Sequence, residues 1–599
     1  MRNPHLKPNR TNGKAGKTSV RIDPIRERTM ESAPAVAVPR EEFLVTKRSR
    51  LIRFVGALAL VSALAFLAGC GGGGNKSSSG NAGSNKGKTY PLLRVIWDAP
   101  DYMDPQLYYT VAAFQLDNYV WSGLLGYNHV AGAAGAQLRP YLAESMPKIS
   151  ADGKDLKFTL RPNLKYSNGK PLKASDFKYS IERAFKMDSP GVGFFSAISG
   201  VSGANGFATT KKGHISGIIT NDANRTIEIK LDHPEGDILY ILGLEFADVV
   251  PTGTPASDQS THPIPATGPY MVQSYVPNRS ITLVRNPNYN NQIPTEPTGN
   301  PDKVVAKIIT DPVAAYQQVI SGKADYDFQP VPNDRLPEAQ SKYKEQLRIY
   351  TNANTYYYAI NNAIPPFNNI QARKAAQMAI DPQAIISGIY GGLGRPTENF
   401  LPPGYPQYKK INAWHFDLAK AKQLVQQSGT SGQTVDVYGP NEDPSKSNTE
   451  YLAGQLTKIG YKTKIHLLSH AVYFQTIGNQ ATKAQAMFTD WYQDYPHPID
   501  WFDTLLNGNR IAQTHNNNVG NVKVPSVDKE IEALKQITNL TPQVNARWAK
   551  VDSDLMAKYA TTIPYMNRSS TDFFGPKIDM GCYVFNVVTY WDFAQSCMK

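Results

Sequence analysis

The densest group of side chains with chemical potential lies between residues 490 and 503, where four aspartates alternate with five aromatic residues. Asp490, Asp494 and Asp500 could supply the acid and base of a carbohydrate hydrolase, which holds two carboxyls across a glycosidic bond. The same residues could line a binding cleft, or the aromatic rings could pack inward while the aspartates face water. Because sequence proximity does not show how far apart two carboxyls lie, all three interpretations remain open.

Other catalytic motifs are absent from the sequence. It has neither a His-Glu-x-x-His zinc motif nor a Gly-x-Ser-x-Gly nucleophile turn. Residues 83–89 resemble a phosphate-binding loop, but the match is one residue short and no strand precedes it. The ten histidines are scattered along the chain. We therefore predict no metal and no cofactor.

The N-terminal region has the charge pattern of an export signal. A basic cluster at residues 47–53 precedes the uncharged residues 54–70. This run is shorter than the roughly 20 residues of a membrane span, and its end, Leu67-Ala68-Gly69-Cys70, resembles a lipobox. We expect residues 1–69 to be a signal region, Cys70 to carry lipid, and residues 70–88 to be a flexible tether. Residues 1–46 are expected to be disordered or untranslated, with Met30 as an alternative start.

The net charge of +13 is concentrated near the N-terminus. Residues 1–53 carry +8 of it, which leaves +5 for the rest of the chain. That value is typical of an ordinary solvated surface. No basic run interleaved with aromatic residues follows residue 53, so we expect no nucleic-acid partner.

Two cysteines, Cys582 and Cys597, remain once Cys70 is assigned to lipid. In an oxidising compartment such a pair more often bridges than stays free. A disulfide would close a short C-terminal loop and contribute about 3 kcal/mol to stability. Two buried free thiols are the alternative.

The elements that must position these residues alternate between short strands and helices, which predicts a mixed α/β fold. No second segment approaches membrane-span length, so we expect one soluble globular unit after the tether. Strands are predicted at 92–97, 157–160, 226–231, 356–361 and 462–467. Helices are predicted at 111–125, 313–320, 370–380, 417–427, 449–458 and 528–537.

Several ordered blocks of the chain resemble the solute-binding proteins of ABC importers, a family that includes oligopeptide- and dipeptide-binding proteins. The blocks include Tyr102-Met103-Asp104-Pro105, Ala266-Thr267-Gly268-Pro269-Tyr270, Val284-Arg285-Asn286-Pro287-Asn288-Tyr289 and Tyr356-Tyr357-Tyr358-Ala359-Ile360-Asn361-Asn362. The resemblance runs over nearly all of the chain after the tether.

The resemblance implies a two-lobed periplasmic-binding-protein-like α/β fold of type II, in the large class with an extra third domain. Lobe I would comprise residues 89–127, 251–355 and 560–599. The extra domain would comprise residues 128–250, and lobe II residues 356–559. Chain crossings near Thr355 and Ile563 would act as the hinge for closure over a ligand.

The resemblance also implies roles for the residues of the acidic and aromatic block. In peptide-binding members an aspartate at the position of Asp494 pairs with the α-ammonium of the ligand. Trp491, Tyr492 and Tyr495 would add ring faces for the same cation or for side chains.

The ligand backbone is expected to lie between the lobes as an added strand. By resemblance the edge for that strand comes from residues 109–112, with Tyr109 and Val111 as contacts. Tyr565 is a weaker candidate from the hinge side.

Two positions depart from the family pattern: His497 stands where many relatives have aspartate, and Phe488 replaces an arginine that helps to bind a peptide carboxylate. We predict a monomeric, lipid-anchored extracytoplasmic receptor that delivers short peptides to a membrane permease without catalysis. An oligosaccharide or other small organic ligand is the alternative within the family. A secreted carbohydrate hydrolase and a sensor or chaperone-like protein are alternatives from other classes.

Overall fold

The computed structural model describes residues 88–195 and 200–599. These residues belong to one compact unit. The predicted signal region, the predicted lipidation site Cys70 and all of the tether except Lys88 lie outside the described residues. None of the helices within the two described ranges has both the length and the apolar character needed to cross a membrane.

The described residues form an α/β fold, and its strands and helices are numbered in chain order. The strands are β1 Leu93–Trp97, β2 Leu125–Tyr127, β3 Leu138–Pro140, β4 Lys148–Ile149, β5 Asp155–Thr159, β6 Ile218–Asn221, β7 Thr226–Lys230, β8 Tyr270–Val276, β9 Ser280–Arg285, β10 Lys303–Ile308, β11 Tyr326–Asp327, β12 Leu347–Thr351, β13 Asn354–Ile360, β14 Gly394–Pro396, β15 Thr434–Pro440, β16 Lys462–Leu468, β17 Ala486–Tyr492, β18 Thr562–Phe574, β19 Phe585–Asn586 and β20 Tyr590–Trp591. The helices are α1 Val111–Asp117, α2 Ala174–Lys186, α3 Ala204–Thr210, α4 Ile238–Ile241, α5 Pro312–Ile320, α6 Leu336–Lys342, α7 Ile370–Ala379, α8 Pro382–Gly388, α9 Leu418–Gln427, α10 Ser445–Lys458, α11 His470–Ile477, α12 Pro498–Leu506, α13 Pro525–Lys535 and α14 Pro542–Ser553.

Many of the helices begin with local signals that the sequence encodes. Helices α5, α8, α12, α13 and α14 each begin with proline, whose fixed φ and missing N–H suit the first helical position. Asp311, for example, precedes α5 and accepts a hydrogen bond from the backbone N–H of Ala314 at 2.8 Å. These caps satisfy N–H groups that a helix start would otherwise leave unpaired.

The largest sheet is mixed, and β18 joins its two halves. Its strand order is β16-β15-β17-β13-β18-β11-β1-β10-β9-β8, with β12 and β14 also paired to β18. The first part of β18 pairs with β13, where Ile563 lies opposite Tyr358. Its last part pairs with β12, where Phe573 lies opposite Leu347. The predicted crossing at Ile563 thus still pairs with β13, and the exchange of partners lies at residues 567–568.

Buried side chains form several distinct cores around these sheets. One core lies mainly within residues 124–249, beside the four-stranded sheet β4-β5-β7-β6, and also takes in Tyr289, Ile293 and Tyr495. A second packs around β1, β9 and β10. Two more pack against β13, β15 and β17. The exact boundaries of the two lobes and the extra domain stay a prediction.

Most predicted elements are present, with ends within four residues of those expected. The exception is the predicted helix 111–125, which ends at Asp117. Beyond it, the carbonyl of Val120 accepts from the N–H groups of Thr267 and Gly268, at 3.0 and 2.8 Å, and the carbonyl of Tyr119 accepts from Tyr270. Because these distant partners take the carbonyls, the local helical pattern gives way to an extended segment that leads into β2.

Candidate functional site

The loop between β17 and α12 holds Asp494 in a fixed position. The backbone N–H of Asp494 donates to Asp500 Oδ2 at 3.0 Å, and Trp491 Nε1 lies 3.4 Å from the same oxygen. His497 Nδ1 accepts from the N–H of Ile499 at 3.2 Å and so caps α12. The loop is therefore anchored at both ends, and the Asp494 carboxylate keeps its direction.

The Asp494 carboxylate is contacted from a distant part of the chain by Tyr109. Tyr109 Oη donates to Asp494 Oδ1 at 2.8 Å. Burial raises the pKa of Asp494 to about 6, and the hydrogen bond from Tyr109 opposes this rise. Within residues 88–195 and 200–599, no lysine, arginine or histidine forms a salt bridge with Asp494. This is a partly buried carboxylate without a resident cation.

The segment that carries Tyr109 is held by a buried ion pair. Arg183 on α2 donates to both carboxylate oxygens of Asp104, at 2.7 and 2.5 Å, and both side chains are fully buried. The backbone N–H of Tyr109 donates to Asp101 Oδ2 at 2.7 Å. The Tyr109 side chain itself is 48% exposed. The backbone is fixed, while the ring remains accessible at the site.

Asp500 and His497 complete the charge environment of the loop. Asp500 is buried, and its pKa lies well above the ordinary value because of burial first and the charge of Asp494 second. Burial lowers the pKa of His497 to about 3, so this imidazole is neutral at physiological pH. The loop therefore offers acidic groups and no compensating positive charge.

An arginine that was not predicted as a site residue lies close to Tyr492. Arg568 Nη1 donates to Tyr356 Oη at 3.1 Å, and Tyr356 Oη lies 3.1 Å from Tyr492 Oη. The guanidinium is 5.3 Å from the ring centre of Tyr390. No salt bridge pairs Arg568 with a carboxylate elsewhere in the described chain. A single positive charge in the buried first part of β18 was the signal that could have identified it.

The sequence of the chain matches a family of known proteins. The family model for bacterial extracellular solute-binding proteins, family 5 Middle, matches residues 137–513. The chain belongs to this family. Family 5 relatives include the dipeptide-binding protein DppE of Bacillus subtilis, 25% identical over 69% of this chain and 76% of DppE. Another is heme-binding protein A of Haemophilus influenzae, 26% identical over 63% of this chain and 70% of the relative.

A solved structure supports the fold of this family 5 protein. Clavulanic acid biosynthesis oligopeptide binding protein 2 superposes with a TM-score of 0.78 at 22% identity, covering 85% of this chain and 96% of its own. The likeness confirms the predicted two-lobed α/β fold of periplasmic binding proteins.

Two predicted ligand contacts of the family 5 site are enclosed by protein. Tyr495 is fully buried in the core beside the four-stranded sheet, and its hydroxyl donates to Asp237 Oδ2 at 2.6 Å. Tyr565 is also fully buried, and its hydroxyl accepts from Asn448 Nδ2 at 3.0 Å. Neither ring is open to a ligand in this structure, in contrast to Tyr109.

Residues 109–112 do not have the extended edge that was expected of them. Val111 is the first residue of α1, and its side chain is 38% exposed. The carbonyl of Ala112 accepts from Trp97 Nε1 at 2.7 Å, and the N–H of Tyr109 is used by Asp101. Two of the backbone groups that an added strand could use are therefore already paired, and the side chains of Tyr109 and Val111 remain exposed.

The two C-terminal cysteines are joined in the structure. Cys582 and Cys597 form a disulfide with their Cα atoms 5.9 Å apart. Together with Asp579 they are the described residues whose types and spacing would suit a metal ion, but the disulfide uses both sulfur atoms. The lipidation predicted for Cys70 lies outside the described residues.

Proposed function

We propose that this family 5 protein binds short peptides between its lobes and delivers them to the membrane permease of an ABC importer. The observation that carries the proposal is the Asp494 carboxylate, which is partly buried and has no cationic partner in the described chain. Removing water from a carboxylate is unfavourable unless a cation replaces the water. The α-ammonium of a peptide is a cation of the right size and hydrogen-bonding capacity.

Tyr109 couples this charge pairing to closure. Asp494 belongs to predicted lobe II and Tyr109 to predicted lobe I, and the bond between them uses one carboxylate oxygen, Oδ1. Oδ2 is left for the ligand ammonium. A ligand that contacts both lobes only in the closed state shifts the population toward that state. Tyr109 would then act as a neutral clasp over the occupied site.

Arg568 is the counterpart that we assign to the peptide carboxylate. The arginine used for this purpose by oligopeptide-binding relatives is replaced by Phe488, which is buried and packs against Tyr356. Arg568 reaches the same tyrosine cluster from β18 and forms no salt bridge among the described residues, although its charge opposes the rise that burial causes in the pKa of Asp490. A planar guanidinium is suited to bind a carboxylate in a bidentate manner.

Several further features belong to the proposal and rest on the sequence or on relatives. DppE is named for dipeptides, but another relative is named for heme, so family membership alone does not fix the ligand. An oligosaccharide or other small organic solute remains the second candidate, since the partly buried Trp491 and Tyr492 suit sugar stacking. We propose that the protein is a monomer, that it is not an enzyme, and that lipid on Cys70 holds it at the outer face of the membrane.

Calorimetry with end-blocked peptides tests the charge assignment. Trialanine, its N-acetylated form and its C-amidated form are titrated into the parent protein, Asp494→Asn and Arg568→Gln. We expect N-acetylation and Asp494→Asn each to weaken binding about 30-fold or more, with no further loss when they are combined. C-amidation and Arg568→Gln should likewise each weaken binding, with no further loss when they are combined.

Matched surface variants and other ligands complete the experiment. Asp334→Asn and Arg279→Gln make the same charge changes at exposed positions and should bind like the parent. Equal affinity of Asp494→Asn and the parent for trialanine would remove Asp494 from the site. Binding of an oligosaccharide panel instead of peptides would favour the second candidate, and hydrolysis products in the mass spectrum would favour a hydrolase.

A further inference from the structure

A small cavity lies between α1 and the chain segments around residues 122–127 and 243–248. Its volume is about 20 Å³, which is room for about one water-sized group. Its polar lining includes the side chains of Tyr108, Ser122, Tyr127, Glu245 and Asp248. An opening of this size holds one ammonium group, which is similar in size to water, and excludes the larger planar guanidinium.

The cavity has an unusual concentration of buried polar groups without partners. The hydroxyls of Tyr108, Ser122 and Tyr127 and the indole N–H of Trp121 form no hydrogen bond with any residue that the structure describes. Each of these side chains is at most 4% exposed. A buried polar group left unpaired is unfavourable, so several around one cavity indicate that something polar occupies it.

Two carboxyl groups line the cavity, and a third, that of Asp117, lies near enough to interact with them. Glu245 and Asp248 line it, and neither forms a salt bridge within the described ranges. Burial raises the pKa of Glu245 to about 8 and also raises that of Asp248. Asp117 is fully buried, both of its oxygens lack partners among the described residues, and the charge of Asp248 helps burial to raise its pKa. With no cation beside them, burial favours the protonated, neutral form of these carboxyls, so a cation that enters the cavity has to displace their protons.

The cavity is close to the proposed ammonium site. The charge of Asp494 adds to the effect of burial in raising the pKa of Glu245, so the two carboxyls lie near enough to interact. The ring of Phe246, the residue after Glu245, lies 6.1 Å from the ring of Tyr109, which bonds to Asp494. A peptide bound at Asp494 can therefore direct a side chain toward the cavity.

We propose that the cavity is a subsite for a second, side-chain ammonium group of the ligand, so that the protein prefers peptides containing lysine or ornithine. The inference rests on the proposed peptide-binding function. An ammonium donates three hydrogen bonds, and the carboxyls and unpartnered hydroxyls of the cavity can accept them. Arginine is disfavoured because its guanidinium exceeds the volume of the cavity.

The test compares three peptides that differ only in the middle side chain: Ala-Lys-Ala, Ala-norleucine-Ala and Ala-Arg-Ala. By calorimetry at pH 7, we expect the parent protein to bind the lysine peptide at least about tenfold more tightly than either of the others. The double variant Glu245→Gln/Asp248→Asn should bring the lysine and norleucine peptides to within about threefold. It should leave the affinity for the norleucine peptide unchanged.

Control variants separate a local effect from a general one. Glu144→Gln removes one charge from an exposed residue of the predicted extra domain and should keep the preference for lysine. If the double variant fails to fold, as judged by circular dichroism, Tyr127→Phe replaces it, because this change deletes a single cavity hydroxyl. A smaller but selective loss for the lysine peptide is then expected.

The possible outcomes separate the subsite from the proposed function. If the parent binds the lysine and norleucine peptides equally, the cavity holds only water, and the inference is wrong while peptide binding stands. If the double variant keeps the preference, the side-chain ammonium binds elsewhere, and the inference is again wrong. If the parent binds none of the three peptides, the proposed function fails together with the subsite.

Discussion

Asp104 belongs to the segment that carries Tyr109, and Asp494 bonds to the hydroxyl of Tyr109. Among the described residues, only Asp104 is paired with a cation. Asp104 is fully buried, receives two hydrogen bonds from Arg183 and accepts a third from the N–H of Gln259 at 3.1 Å. Asp494 receives a bond from a neutral phenol and has no cation among the described residues. The fold supplies a cation for the carboxylate of Asp104, whereas the carboxylate of Asp494 is available to a cationic ligand.

The comparison shows how one protein separates stability from binding. A buried carboxylate with an internal cation fixes the local structure, because the loss of either partner leaves an isolated buried charge. A carboxylate without such a cation lowers the stability of the empty protein but gains a strong partner when a cationic ligand arrives. Asp104 positions Tyr109, and Tyr109 in turn contacts Asp494.

The largest expected effect is on folding, through Asp104. Asp104→Asn should lower the free energy of unfolding by about 3–5 kcal/mol, because Arg183 then remains buried without a counter-charge. Urea denaturation followed by circular dichroism measures the change. The double variant Asp104→Asn/Arg183→Gln should recover part of the loss. A loss below about 0.5 kcal/mol in the single variant would contradict a stabilising role for the Asp104–Arg183 pair, since surface substitutions change the free energy of unfolding by that much.

The next effect is on the pH dependence of peptide affinity. The pKa of Asp494 is raised to about 6 by burial, so the carboxyl is protonated below that pH and cannot pair with an ammonium. Affinity for trialanine should fall about tenfold per pH unit below 6. Asp494→Asn should remove this dependence in calorimetry between about pH 5 and 8. An unchanged slope in the variant would assign the titration to Asp500 or Glu245.

The stability of the empty protein should respond to Asp494 with the opposite sign. Because the folded pKa is above the unfolded value, the group's favourable contribution is fully present below about pH 4 and is lost as the pH rises through about 6. Ligand affinity rises over the same interval. Stability and ligand affinity therefore change in opposite directions as Asp494 titrates.

The smallest expected effect comes from Tyr109→Phe. This variant removes the neutral donor to Asp494 but keeps the ring, so peptide affinity should fall by no more than about tenfold, the value of one hydrogen bond. The bond opposes the rise that burial causes in the pKa of Asp494, so the midpoint of the pH profile should move upward. A downward shift would show that Tyr109 does not donate to this carboxylate in solution.

The sequence allowed the family, the α/β elements and the acidic loop to be predicted because these depend on local patterns. The helical spacing of residues 111–125 predicted too long a helix, because carbonyls of this segment accept hydrogen bonds from residues near 270. The exposure of aromatic rings could not be predicted either, since Tyr495 and Tyr109 differ only in what packs around them. Arg568 was missed because its neighbours come from β13 and α8–β14, far away in the chain.

The long strand β18 also has a consequence for the order in which the molecule assembles. The first strand, β1, pairs with β11, and β11 pairs with residues 573–574 of β18. Tyr90 Oη lies 2.7 Å from Ser596 Oγ. The N-terminal strand, which is synthesised first, therefore gains its C-terminal neighbours last. Truncation before β18, near residue 560, should unravel the beginning of the fold as well as its end.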